Sequence, residues 1–282
     1  MTRRDPADVS RENAGELARK REKLTAGERL IGRDAANLFV PDLSGVKGDP
    51  AQTAEQIFLS GDRAQTICRS SASRLSFAAA LIEKNAIDEA DLFPVLKEGV
   101  PTRLLYVRAG AADRAYRLFS TLLSDPRVRY AESGSDAAEG VESGDADLLI
   151  LPYADDAGNP VLSSRKLAET YGLYLAAVAR VKAGDGLLYA LQGRAILPRI
   201  EGRVTLHLSL PAPDPATAAD LFALARDADL IPSGATLPKD GRATAAFSGK
   251  REDCLSAAVA FLAFFPGCEL RGWIPEKPLL ER

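Results

Sequence analysis

Two short segments of this 282-residue chain carry charged side chains directly after apolar runs that are typical of buried strands. The first segment runs from Arg108 to Asp113, and the second starts at Tyr153 and holds the adjacent carboxylates Asp155 and Asp156. Carboxylates give and take protons, and an arginine or a tyrosine can hold a polar substrate. We therefore take the three aspartates as candidate catalytic residues and Arg108 and Tyr153 as candidate substrate-binding residues.

Both segments belong to an alternating pattern of strands and helices that begins at Thr102. Such alternation predicts a parallel sheet with helices on its faces, and ligands of these folds bind beyond the carboxyl ends of the strands. The predicted helices are Ala112–Leu123, a second one capped by Asp136 and Glu139, and Ser163–Tyr171. The predicted strands are Leu104–Val107, Val128–Tyr130, Leu148–Pro152 and Leu173–Val181.

The last segment of the chain has a different pattern. Four apolar residues from Val204 to Leu210 alternate with polar residues, which is typical of a strand buried on one face. The order βαββαβ that follows predicts a ferredoxin-like unit with two helices on one face of its sheet. Its helices are predicted from Asp214 to Ala228 and from Arg251 to Phe265, and its later strands at Leu230–Leu237, Arg242–Ser248 and Cys268–Ile274.

The first 98 residues predict helices. Thr25 with Glu28 and Thr53 with Gln56 both fit a capping box, and the stretch 41–50 predicts a loop because it holds two prolines and two glycines. Helices are predicted at Thr53–Leu59 and Ser73–Lys84. The predicted organisation is a helical region at 1–98, an α/β lobe at 99–200 and a ferredoxin-like domain at 201–282.

Composition excludes several classes of function. Lys and Arg number 36 and Asp and Glu 39, a net charge of −3, which gives no basic surface for nucleic acid or anionic lipid. A single histidine and three cysteines without a CxxC spacing exclude a histidine-rich metal site, and we expect no metal and no cofactor. The charged first residues lack the apolar core of a signal peptide, and no apolar run is long enough to span a membrane, so we expect a cytoplasmic protein.

Two residues of the last segment are candidates for either a packing surface or a ligand site. His207 shares a strand face with Thr205 and Ser209, and strict alternation would place Trp273 with Arg271. The first and last strands of a ferredoxin-like sheet are neighbours, so we expect His207 and Trp273 to lie together on the face without helices. The two interpretations are contact with another segment or subunit, and a ligand-binding surface.

Residues 103–276 resemble prephenate dehydratase with a C-terminal ACT domain. The run Val141–Pro152 resembles the family's acidic, glycine-containing turn, strand and proline, and Leu173-Tyr-Leu175 resembles the strand after its next helix. Pro238 and the ending Leu270–Pro275 resemble features of the ACT domain. The resemblance implies a periplasmic-binding-protein-like lobe, a place in L-phenylalanine biosynthesis, a homodimer, and prephenate, chorismate or an amino acid as ligand.

The motif positions of that family carry different residues in this chain. Gly110 is retained as a substrate-binding position, but Asp113 stands where the family has serine, and Asp155 and Asp156 stand where it has asparagine and serine. Residues 190–203 alone separate Tyr189 from the ACT-like strand, so the family's second lobe is expected to be missing. By the same resemblance, the ligand-binding positions of the ACT domain fall on Ala216, Thr236 and Pro238.

Three functions remain open from the sequence. The first is a homologue with degraded catalytic motifs that acts as a binding or regulatory partner. The second is a working enzyme, either a prephenate dehydratase that uses Arg108, Asp113 and Asp155 or a chorismate mutase. The third is a small-molecule sensor that uses the ACT-like domain. A mutase would hold its dicarboxylate substrate with basic residues of the N-terminal helices, namely Arg19, Lys20, Arg21, Lys23, Arg29 and Arg33, with Arg63 and Gln65.

Overall fold

The structure is a computed structural model that describes residues 6–39, 43, 45–155, 159–181, 187–198, 200, 202–211, 213–236 and 242–281. Within these residues there are nine α-helices and ten strands, and all the strands belong to one sheet. Strands β5 (Leu187–Gly193) and β10 (Leu279–Leu280) were not predicted. The predicted combination of a helical N-terminal region, an α/β lobe and a ferredoxin-like unit is confirmed.

The N-terminal region consists of four helices. They are α1 (Pro6–Phe39), α2 (Pro50–Ala64), α3 (Ser71–Asn85) and α4 (Glu89–Leu92). The predicted capping boxes are wrong in both places. Thr25 lies inside α1, where its hydroxyl donates to the carbonyl of Arg21. Helix α2 begins earlier than predicted because Asp49 caps it and Pro50 occupies its first turn, and the Thr53 hydroxyl donates to Val46 instead.

The α/β half has the strand order β2-β1-β3-β5-β4. Four of these strands are parallel, as predicted, but β5 runs antiparallel between β3 and β4, so the expectation of a wholly parallel sheet is wrong. A short 3₁₀ helix at Ser120–Leu122 follows α5. The elements are β1 (Arg103–Val107), α5 (Gly110–Phe119), β2 (Arg127–Ala131), α6 (Gly134–Glu142), β3 (Leu148–Asp155), α7 (Leu162–Thr170), β4 (Tyr174–Arg180) and β5 (Leu187–Gly193).

The C-terminal half has the predicted βαββαβ order. Its strands lie in the order β9-β6-β8-β7, which places the first and last strands of the unit side by side. The elements are β6 (Arg203–Pro211), α8 (Pro215–Asp227), β7 (Ile231–Thr236), β8 (Arg242–Lys250), α9 (Arg251–Phe264), β9 (Glu269–Pro275) and β10 (Leu279–Leu280). Asp214 caps α8 by accepting from the Thr217 amide at 2.8 Å.

The two halves share the sheet because β4 pairs with β9 and β10. One face of the sheet packs against α5, α8 and α9, and α2 and α3 lie over α9 in a further layer. Helix α9 is therefore buried almost all round rather than along one stripe. Gly61 of α2 makes this layer possible, since a Cβ there would lie 2.1 Å from the carbonyl oxygen of Ala263. The predicted domain boundaries at 98 and 200 stay predictions.

The predicted placement of Trp273 beside His207 is wrong. A β-bulge at Arg271 inserts one extra residue in β9, so Leu270 pairs with Leu208, Gly272 with His207 and Trp273 with Leu206. Trp273 consequently points to the helix-covered face, where it is 1% exposed and its ring centroid lies 6.0 Å from that of Phe93.

Candidate functional site

A cavity of about 610 Å³ lies on the face of the sheet opposite α9. Its walls come from both halves of the chain, with α7 and strands β3 to β5 on one side and strands β6 to β9 on the other. This volume is typical of pockets that bind small organic molecules.

The floor of the cavity is a row of residues that lie next to one another across five strands. Gln192 of β5 pairs with Leu175 of β4, which pairs with Gly272 of β9, followed by His207 of β6 and Ala246 of β8. A Cβ at position 272 would lie 2.8 Å from the Leu175 Cβ and 3.4 Å from the His207 Cβ. The row has little side-chain bulk at its centre and at one end, where its members are glycine and alanine.

Three β-bulges turn side chains toward this cavity. The register shifts place Tyr153 of β3, Ser233 of β7 and Arg271 of β9 as the extra residue of each bulge, and all three line the cavity. A bulge interrupts the alternation of side chains and re-aims one of them, and bulges are common beside functional sites.

Three residues that line the cavity each carry a buried polar atom without a hydrogen-bond partner among the described residues. These atoms are Gln192 Oε1, His207 Nε2 and Arg271 Nε. Burial lowers the pKa of His207 to about 4, so its imidazole is neutral at pH 7. A buried polar atom without a partner costs about 1–3 kcal/mol, and three such atoms in one wall are typical of a place that a ligand or ordered water completes.

The charged groups of the wall are mostly paired with one another. On α7, Arg165 Nε donates to Glu169 Oε1 at 2.9 Å, and Arg271 donates to Glu269 on its own strand. Burial raises the pKa of the Tyr153 hydroxyl, against the opposing effect of Arg165, so this hydroxyl stays protonated and can donate. The wall therefore offers hydrogen-bond donors without a large excess of either charge.

The rest of the lining is divided between apolar and hydroxyl-bearing side chains. The hydroxyls of Thr205 and Ser248 lie 2.7 Å apart on neighbouring strands at the floor of the ferredoxin-like side. Larger apolar side chains line the α/β side at Leu173, Leu175, Val178 and Leu188, and the ferredoxin-like side at Leu208 and Ile274. The cavity thus fits a molecule with an apolar body and a polar end.

The residues predicted after β1 are engaged in local contacts. Asp113, in the first turn of α5, accepts a hydrogen bond from the buried Tyr106 hydroxyl at 2.9 Å. The guanidinium of Arg108 lies 5.1 Å from the ring centroid of Tyr130, and Gly110 is the first residue of α5.

The residues predicted after β3 separate into two places. Tyr153 lines the cavity, whereas Asp155 accepts from the backbone and the side-chain amides of Asn159, both at 2.7 Å, and so closes a turn. Asp156 lies outside the described residues. Tyr153 packs with Leu175 and Ile274 on the cavity face, and the first turn of α5 packs on the other face of the sheet, so the structure does not bring Asp113 to Tyr153.

The three predicted ligand-binding residues of the ferredoxin-like half also separate. Thr236 lines the cavity at the end of β7, Ala216 is exposed in the first turn of α8, and Pro238 lies outside the described residues. Tyr153 and Thr236, predicted for two different sites, therefore line one cavity. The catalytic and binding roles of all these residues stay predictions.

Most of the cavity lining was not predicted, including Gln192 and Arg271. Gln192 lies on β5, which was not predicted as a strand. The turn-forming run Gly184-Asp-Gly186 between two apolar runs is the signal that could have identified it. The position of Arg271 depends on a bulge, for which the local sequence has no signal.

The remaining predictions concern the basic N-terminal residues, a metal site and a membrane-spanning helix. Of the basic N-terminal residues, Arg33 pairs with Glu83 of α3 at 3.1 Å, while Lys20, Arg21 and Lys23 are exposed on α1. Among the described residues, no group of three or more His, Cys, Asp or Glu side chains is placed to hold a metal ion. No helix in the described part of the chain is long and apolar enough to cross a membrane.

Comparisons with known proteins give similarities in structure only. No family model matches the chain, and no curated protein sequence matches it. The chain is similar to the prephenate dehydratase of Streptococcus mutans, with a TM-score of 0.48 and 12% identity over 64% of this chain and 100% of that chain. It is similar to the prephenate dehydratase of Arthrobacter aurescens in complex with L-Phe, with a TM-score of 0.48 and 10% identity over 62% of this chain and 92% of that chain.

A third solved structure carries a different activity. GqqA, described as a novel type of quorum-quenching acylase, has a TM-score of 0.46 and 14% identity over 62% of this chain and 96% of that chain.

Proposed function

We propose that this chain is a non-catalytic binding protein that holds a small carboxylic acid with an apolar body in the cavity between its two halves. The observation that carries this proposal is the set of three unpaired buried polar atoms, on Gln192, His207 and Arg271, in the wall of one half-apolar cavity. An arginine N–H without an acceptor is best completed by a carboxylate oxygen, and an amide oxygen without a donor by a hydroxyl or amino group.

The polar and apolar parts of the lining suggest how such a ligand lies. Its carboxylate accepts from Arg271 Nε, and the protonated Tyr153 hydroxyl is a second donor in the lining of the cavity. Its apolar body lies over Leu175 and Ile274, which pack together beside Tyr153 on the cavity face. Burying an apolar group against these side chains supplies the larger share of the binding free energy, at about 25 cal/mol per Å² of apolar area.

The absence of catalysis in this proposal rests on the hydrogen bonds of the predicted catalytic carboxylates. Asp113 accepts from Tyr106, and Asp155 closes a turn with Asn159. Both carboxylates therefore have structural partners in the protein without a substrate. The motif resemblance adds the context: a prephenate dehydratase-like protein of aromatic amino-acid biosynthesis, cytoplasmic and dimeric, whose ferredoxin-like half is an ACT domain.

The test is a binding measurement on the purified full chain. We expect phenylpyruvate, prephenate or L-phenylalanine to bind in calorimetry and to raise the melting temperature. Ala246→Leu fills the floor of the cavity and is expected to weaken this binding at least tenfold. Ala219→Leu, the same substitution on the exposed side of α8, is the matched control and is expected to bind as the unchanged protein does.

The same protein incubated with chorismate and with prephenate tests the alternative. Formation of prephenate or phenylpyruvate, followed by chromatography, would replace a binding role with chorismate mutase or prephenate dehydratase activity. Binding that is equally strong in Ala246→Leu would place the ligand elsewhere on the molecule and would overturn the proposal.

A further inference from the structure

The two halves of the sheet meet along a weakly paired line, which we call the seam, between β4 (Tyr174–Arg180) and β9 (Glu269–Pro275). One residue pair, Leu175 with Gly272, joins these two strands in the described residues. The ladders on either side of the seam, β4 with β5 and β9 with β6, have six pairs each. Farther along β4, the pairing passes to β10 at Ala179 and Arg180. Among the described residues, backbone pairing in the sheet is therefore sparsest at the seam.

The cavity lies over the seam. Leu175 and Val178 of β4 line it from one side, and Ile274 and Pro275 of β9 line it from the other. The unpaired atoms are divided in the same way, because Gln192 belongs to the α/β half and His207 to the ferredoxin-like half. A ligand that completes both groups contacts both sides of the seam at once.

On the face of the sheet opposite the cavity, aromatic side chains connect the two strands of the seam. The ring of Phe93, just after α4, packs against Tyr174 of β4 at 5.9 Å and against Trp273 of β9 at 6.0 Å between centroids. Phe93 and Trp273 are fully buried there. On the cavity face, the contact at the same level is the close approach of Gly272 to Leu175. Aromatic contacts thus join the two strands on one face of the seam. Among the described residues, no comparable aromatic contact joins them on the cavity face.

We propose that ligand binding in the cavity closes the seam, so that occupancy of the cavity controls how rigidly the two halves of the sheet are joined. This inference rests on the proposed function, since it takes the cavity as the binding site. A ligand shifts a conformational equilibrium only by its difference in affinity between two states. The closed seam offers both walls to the ligand and an open seam offers one, so the bound ligand stabilises the closed state.

Amide hydrogen exchange of the full chain, with and without saturating phenylpyruvate, tests this proposal. We expect amides of Tyr174–Arg180, Glu269–Pro275 and Leu279–Leu280 to exchange at least tenfold more slowly with ligand, while the distant strand Arg127–Ala131 is unchanged. Binding in calorimetry without slower exchange at the seam would overturn this inference and leave the proposed function standing. Absence of binding by phenylpyruvate, prephenate and L-phenylalanine would overturn both.

A substitution at the seam separates binding from closure. Gly272→Ala pushes a methyl group against the backbone oxygen of Leu175 at 2.9 Å and wedges the two strands apart. We expect it to remove the ligand-dependent protection of β4 and β9. Gly27→Ala adds the same methyl group where nothing lies within 4 Å, and it should behave as the unchanged protein. If Gly272→Ala does not fold, the exchange of the unchanged protein with and without phenylpyruvate decides the inference alone. Full protection in a folded seam variant would overturn the inference.

Discussion

The two faces of the ten-stranded sheet are built from alternating residues of the same strands, yet they differ in kind. The face under α9 is a continuous apolar core in which Trp273, Phe247 and Leu206 are fully buried. The opposite face holds a cavity with unpaired polar atoms on Gln192 and His207. Adjacent residues of β9 therefore belong alternately to the apolar core and to the cavity face. If the cavity has the proposed binding function, the apolar face supplies the stability that offsets the unpaired polar groups of the cavity face.

Removal of an aromatic ring from the core face is expected to have the largest effect on stability. Phe93→Ala removes the ring that packs against Tyr174 and Trp273, and loss of a buried phenylalanine typically costs about 3–5 kcal/mol. Urea denaturation measures the free energy of unfolding. Leu162→Ala, at a residue 74% exposed, is the control and should change it by less than about 0.5 kcal/mol. Equal effects of the two substitutions would contradict the division between the faces.

Acid is expected to destabilise the cavity face through His207. Its pKa falls from 6.5 in the unfolded chain to about 4 in the folded protein because burial disfavours the charged form. Between pH 4 and pH 6.5 the unfolded state therefore binds more protons than the folded state. The contribution of the neutral His207 to the free energy of unfolding is fully present above pH 6.5 and is lost as the pH falls toward 4. It amounts to about 3 kcal/mol at most.

Urea titrations at pH 7 and pH 4.5, on the unchanged protein and on His207→Gln, isolate this contribution. The glutamine variant lacks the titrating imidazole, so its free energy of unfolding should fall less between the two pH values. The same decrease in both proteins would show that His207 does not have a lowered pKa in the folded state.

Replacement of Gln192 is expected to have the smallest effect on stability and to sharpen the contrast between the faces. Gln192→Leu removes a buried amide oxygen that has no partner among the described residues, so the unliganded protein should gain about 1 kcal/mol while its affinity for phenylpyruvate falls at least tenfold. Gln52→Leu, on the exposed side of α2, is the matched control. Thermal denaturation and calorimetry report the two effects separately. A variant that loses both stability and affinity would mean that Gln192 has a structural role instead.

Most elements of the fold follow from local patterns in the sequence, and the exceptions have physical causes. The strict alternation from Val204 to Leu210 and the capping aspartate at 214 predicted β6 and α8, which the structure confirms. Strand β5 is buried between two other strands and lacks alternation, so its apolar run does not distinguish it from a helix. The bulge at Arg271 reversed the faces of every residue after it, including Trp273.

The cavity was beyond prediction because it depends on pairing between distant segments. Gln192, Gly272 and His207 come together only when β5, β4, β9 and β6 lie in that order, and nothing local in the sequence specifies the contact between β4 and β9. Tyr153 and Thr236 were selected from separate motifs, and the same long-range pairing places them in one cavity. Sequence motifs therefore identified single residues of the site, whereas the order of the strands in the sheet brings these residues together.

The burial of α9 under the N-terminal helices also has a consequence for biosynthesis of the chain. Helix α2 ends at Ala64 and its partner α9 begins at Arg251, so most of the sequence must be translated before the two can meet. At roughly 5–20 residues per second, the apolar side of α2 waits on the order of ten to forty seconds for its cover. During that interval, Ile57 and its neighbours lack the cover of α9, and a chaperone or an early contact with α1 or α4 would have to shield them.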